Sequence, residues 1–148
     1  MKILTIEELI LINQYAQGVV SRDKIKDWYL ALQEIEKQSV VKSIWVLATQ
    51  AQVKEDDIPV AAEAAGLKQT HTPVVMISKG DMSLNNRGYK LSALNGTVLN
   101  QAFWFVLECF ALAERRRREK EGPDECNHWW HKDLSDDRVI KEILEGKY

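Results

Sequence analysis

The chain has 148 residues, 45% of them hydrophobic and 28% charged, and its 20 basic and 22 acidic side chains leave a net charge of -2. That length suits one domain of ordinary globular composition, which excludes a fibrous repeat or a wholly disordered chain. A charge so close to zero supplies no overall field for nucleic acid or an anionic membrane, so neither is an expected partner.

Residues 1–14 hold an early lysine and many aliphatics, but Glu7 and Glu8 interrupt the apolar stretch that a signal peptide needs, so the chain reads as cytoplasmic. Thr5 and Glu8 have capping-box spacing and open a helix with Gly18 as its stop. Ile6, Leu9, Ile10, Asn13 and Ala16 fall on its inward stripe. Ser21 is the next N-cap, with Asp23 in the first turn and Ile25, Trp28, Tyr29, Leu32 and Ile35 on the buried face. Ser39 then restarts or bends the chain into a third helix through Val41, Ile44, Trp45, Ala48 and Ala51.

Acids and Pro59 mark the first turn of a fourth helix, whose Ile58, Ala61, Ala62 and Ala65 recur at helical spacing before Gly66. Between residues 67 and 95 the signals weaken. Thr72-Pro73 favours a short helix, although Val74, Val75 and Ile77 also suit a strand, and Gly80-Asp81, Asn85-Asn86 and Arg87-Gly88 punctuate an exposed connection. From about Thr97 a long helix follows in which Val98, Leu99, Ala102, Phe103, Phe105, Val106, Cys109, Phe110 and Ala113 cannot share one stripe, so other helices must surround it. Its apolar run is too short for a membrane span and is interrupted by Gln101 and Glu108. Ser135 caps a last helix that turns Val139, Ile140, Ile143 and Leu144 inward and ends at Gly146. The expectation is an all-α, single-domain bundle over residues 1–148, with five to seven helices around a central apolar helix at about 97–121.

Chemistry concentrates after that helix. Cys126, His128 and His131 form the pattern C-x-H-x-x-H, whose donors suit zinc or another late transition metal. A helical turn there would project both histidines to one side. A fourth ligand would be His71, Asp124, Glu125 or Asp133; an acid or water leaves an open catalytic position, whereas His71 closes a structural site. Asp133 is alternatively a partner that orients a ligating histidine. The spacing matches no standard zinc signature, so the sequence ranks a structural cap ahead of a metal centre. In that reading Trp129, Trp130 and Asp133 close the end of the bundle, and the histidines make hydrogen bonds within it. Two cysteines make no disulfide framework, and Cys109 reads as a small core residue.

The run Arg115 to Arg118 spreads around a helix rather than forming one basic face. Its cations favour the helix C-terminus and have Asp124, Asp133, Asp136 and Asp137 as expected partners. No nucleophile elbow, phosphate loop, dinucleotide fingerprint or zincin motif is present, so the sequence assigns no catalytic or cofactor-binding residue and favours a binding protein over an enzyme.

The stretches INQYAQG at 12–18, GLKQTHTP at 66–73, the arginine run and CNHWWHKDL at 126–134 resemble a family of small bacterial proteins of unknown function. The resemblance covers most of the chain and implies a bacterial cytoplasmic origin, with no activity attached. Two functions are therefore expected. One is an interaction protein without a cofactor, of which an immunity protein that neutralises an antibacterial toxin is one form. The other is a zinc-binding protein or metal-dependent enzyme built on Cys126, His128 and His131.

Overall fold

A computed structural model describes residues 4–54, 56–66, 75–78, 81–84, 89–90, 96–121 and 132–147. Among these residues the body is an all-α bundle of six helices: α1 (Ile6–Ala16), α2 (Arg22–Leu30), α3 (Glu34–Gln50), α4 (Asp57–Ala64), α5 (Gly96–Glu121) and α6 (Asp137–Leu144). Between α4 and α5 lies a small antiparallel meander of β1 (Val75–Ser78), β2 (Asp81–Leu84) and β3 (Tyr89–Lys90). Val75 pairs with Leu84, Ser78 with Asp81, and Leu84 with Tyr89.

The central helix is surrounded as its composition demands. Leu99, Ala102, Phe103, Phe105, Val106, Leu107, Cys109, Phe110, Ala111 and Ala113 are all buried, and at about 100° per residue these positions span roughly two thirds of the circumference of α5, far more than one stripe. Its main neighbour is α3, which contributes Val40, Val41, Ile44 and Ala48, followed by α4 and α1. The small side chains Ala61 and Ala62 let α4 approach closely. Tyr29 of α2 stacks on Phe103 with ring centroids 3.8 Å apart and an interplanar angle of 4°, and Trp28 meets the same ring edge-on at 6.3 Å. Arg22 adds a cation over the Trp104 ring at 4.1 Å and donates to the Ala64 carbonyl at 3.0 Å, tying α2 to α5 and α4. Among the described residues no helix is long and apolar enough to cross a membrane.

The first two helices start where their caps dictate. Thr5 and Glu8 form both bonds of the capping box, and the Ser21 hydroxyl accepts from the Lys24 amide. Elsewhere the expected boundaries are corrected. The second helix does not reach Ile35: it ends at Leu30, and α3 begins at Glu34, where the Gln33 amide donates to Glu36 Oε1 at 3.2 Å. Ile35 therefore sits 68% exposed in a first turn. Ser39 starts nothing; its hydroxyl donates to the Ile35 carbonyl one turn back inside α3. Thr72, Pro73 and Val74 lie outside the described residues, but from Val75 to Ser78 the chain is the strand β1, paired antiparallel with β2, and not the short helix favoured there. The last helix is capped by Asp136, whose carboxylate accepts from the Arg138 amide at 2.9 Å, and not by Ser135. On the inward stripes, Ile6 and Leu144 are about half exposed, at 48% and 47%.

Candidate functional site

The C-terminal turn of α1 meets α5 and the strand of chain entering α6, and nearly every residue of the 12–18 stretch takes part. Gly18, at φ 77°, occupies the left-handed position that ends the helix. Around it the Val19 amide donates to the Gln14 carbonyl at 2.8 Å and the Gly18 amide to the Tyr15 carbonyl at 3.0 Å, the two bonds of a Schellman ending. Arg115 Nε donates to the Ala16 carbonyl at 2.8 Å, placing a cation from α5 on the negative end of α1.

Two glutamines then hold a distant segment by its backbone. Gln14 Nε2 donates to the Leu134 carbonyl, Gln17 Nε2 donates to the Lys132 carbonyl, and the Leu134 amide donates to Gln17 Oε1, each at 3.1 Å. Gln17 thus offers one donor and one acceptor to a peptide strand 115 to 117 residues away. Leu134 is fully buried and forms a second small apolar cluster with Ile10 and Ile143, against which Val139 and Ile140 pack. Beside it Asp133 Oδ1 accepts from the Ser135 amide at 3.0 Å and hydroxyl at 2.6 Å. Those bonds, with a contribution from Arg118, hold the exposed Asp133 carboxyl below its usual range.

Tyr15 turns to the interior, where its hydroxyl donates to Glu108 Oε1 of the central helix. Burial and Glu108 push the Tyr15 hydroxyl up to about 12, so it remains a neutral donor to an otherwise buried carboxylate. On the same helix burial, with Asp57 and Glu108 adding to it, pushes the Cys109 thiol up to about 12, and that thiol is unsuited to nucleophilic chemistry.

Outside these contacts lies an open groove of about 550 Å³ lined by Ala16, Gln17, Gly18, Val19, Arg115, Arg118, Glu119, Asp133 and Ser135. Its walls carry both signs of charge, and Val19 adds an apolar side chain that is 38% exposed. Arg116 pairs with Asp57 of α4 and Arg115 serves α1, neither an expected partner, whereas Arg118 borders the groove and acts on Asp133, one of the expected acids. The acids expected to receive these cations follow them in sequence, whereas the partners found for Arg115 and Arg116 precede them by 99 and 59 residues.

Among the sequence-derived site residues Asp133 is described at this junction. Cys126, His128, Trp129, Trp130, His131 and His71 lie outside the described residues, as do Asp124 and Glu125. Among the described residues no group of three or more His, Cys, Asp or Glu side chains is arranged to hold a metal. The glutamine pair was missed as a working unit. Two amides at i and i+3 near a helix end were the available signal, but their partners are backbone groups, which leave no mark in a sequence.

Residues 7–133 match the model of a family of unknown function, DUF5958, and the chain belongs to that family. No curated protein and no solved structure matches the chain.

Proposed function

We propose that this chain is a binding protein that engages another protein through the groove between α1, α5 and the segment entering α6. The observation that carries this reading is the glutamine clamp: three hydrogen bonds at 3.1 Å hold the groove's far wall against α1 before any partner arrives. A wall fixed in advance lowers the ordering cost of association. Arg118, Glu119 and Asp133 set alternating charge around exposed Val19, the mixture of polar rim and apolar contact that suits a protein surface. An immunity protein neutralising a toxin is one form of this function.

Photo-crosslinking in cells tests it, with the reactive residue at Val19 or, as a control, at Val60, which is 53% exposed on α4. The expected result is one discrete protein adduct from Val19 that disappears with Arg118→Glu and has no counterpart at Val60. Equal adducts from both positions, or none from Val19, would remove the proposal.

A second reading assigns zinc to Cys126, His128 and His131, with His71 or Asp133 as fourth ligand. What favours it is that the backbone right after His131 is anchored at Lys132 and Leu134, giving a ligand set a rigid base. Elemental analysis of untagged protein decides this: near one equivalent of zinc and a chelator-sensitive melting temperature support the site, and metal-free protein that ignores chelator ends it.

A further inference from the structure

Arg115 lines the groove already held in place. Its Nε donates to the Ala16 carbonyl at 2.8 Å, and the residue is nonetheless exposed. Among the described residues this is the one hydrogen bond that Arg115 makes, and it forms no ion pair. A guanidinium carries five N–H donors in a planar fork, so the Nε bond fixes the plane and leaves the two terminal amino groups unengaged. The ordering that a long side chain normally undergoes on association has been completed by the fold itself.

The rest of the lining does not answer this cation. Asp133 accepts both the amide and the hydroxyl of Ser135 and lies in the field of Arg118. Glu119 follows Arg115 by one turn of α5, in the Arg-to-Glu order that pairs less well on a helix than the reverse, and no ion pair joins the two. Two arginines and two acids sum to zero, so the groove has no net field to draw an anion in. Recognition therefore depends on the fork. A protein that covers the groove removes water from Arg115, and a guanidinium left dry without a counter-charge is strongly unfavourable. A backbone carbonyl meets one N–H and leaves the charge standing, whereas a carboxylate meets two parallel N–H groups and neutralises it.

We propose that the groove reads an acidic side chain of its partner, an aspartate or glutamate whose carboxylate is received end-on by the two terminal amino groups of Arg115, with an apolar neighbour against Val19. The groove is open, which admits a chain that passes through it, so the acid is assigned to a side chain and not to a chain terminus. This address rests on the groove's being the protein-binding surface and adds the chemistry of what enters it.

Three tripeptides titrated into the full chain test it, read at the Arg115 Nε–H and Val19 amide resonances. The first is acetyl-Val-Glu-Val-amide, the second carries Gln in place of Glu, and the third is the Gln peptide with a free C-terminal carboxylate. The Glu peptide should shift both resonances saturably and bind about tenfold more tightly than the other two, the discrimination expected of one charge-assisted pair. Arg115→Gln should reduce its affinity to that of the Gln peptide. Arg115→Lys, which keeps the charge but not the fork, should retain only part of the preference and serves if the first variant does not fold. Equal affinity of the Glu and Gln peptides, absence of saturable shifts at Arg115, or a preference undiminished in both variants would overturn the proposal. Tighter binding of the free-carboxylate peptide would also overturn it, by giving the fork to a chain terminus. Crosslinking from Val19 judges whether the groove holds a protein, and the peptides judge whether it reads an acid, so the two can fail separately.

Discussion

The bundle holds together in two ways, and its two halves show the contrast. Around α3, α4 and α5 the contacts are apolar and collective: a ring such as Phe103 is held by many weak contacts and a stack on Tyr29, none tied to a particular atom. At the end of α1 the contacts are few and directional, each joining a named donor to a named acceptor across about a hundred residues. Burial supplies most of the stability, and hydrogen bonds decide where one strand of chain lies. A protein can lose the second kind of contact and remain folded, with its groove no longer formed.

Substitutions can break that division. Phe103→Ala should have the largest effect, a loss of about 3–5 kcal/mol in denaturant unfolding, because it empties the centre of the bundle. Tyr15→Phe is expected to cost about 1–3 kcal/mol, since the ring still packs while Glu108 loses its donor in a buried place. Gln17→Ala removes two bonds of the clamp and should cost about 1–2 kcal/mol, with the change concentrated in residues 132–144 rather than in α5. Gly18→Ala should cost about 1 kcal/mol, because the left-handed backbone at φ 77° disfavours a side chain even though nothing crowds it. If Gln17→Ala destabilised the fold as much as Phe103→Ala, the two halves would not be separable.

Alkaline pH sharpens the same contrast. Tyr15 and Cys109 are raised from 10.0 and 9.0 to about 12 in the folded chain. A group whose folded value is raised contributes its stability fully below the unfolded value and loses it as pH climbs through the folded value. Unfolding free energy should therefore start to decline above pH 9 and fall further through pH 10 to 12. The advantage of the unaltered chain over Tyr15→Phe should narrow above pH 10, and a gap that stayed constant to pH 12 would contradict the Tyr15–Glu108 assignment.

Much of the core was legible because local and global signals agreed. The Thr5–Glu8 box, the Ser21 cap and the broad apolar face of α5 each state a rule that the fold then obeys. The reading failed where a pattern carried over by accident. Leu32 and Ile35 continue the spacing of α2 across a break, and the i+3 rhythm contains no information about the turn at residues 31–33. Val75 and Ile77 fit both a strand and a short helix, and pairing with β2 decides between them. At the site, the stretch 12–18 stood out in sequence, but its action on residues 132–134 could not be read, because glutamine amides there address peptide groups that every residue possesses.

Native-state hydrogen exchange at the Leu134 amide tests the central claim, that α1 holds the groove wall through Gln17. In the unaltered chain this amide should be protected, and in Gln17→Ala it should exchange roughly ten times faster or more, while the Val106 amide in α5 keeps its protection. A Leu134 amide that exchanges freely in the unaltered chain, or equally slowly in both, would contradict the clamp and with it the preformed groove.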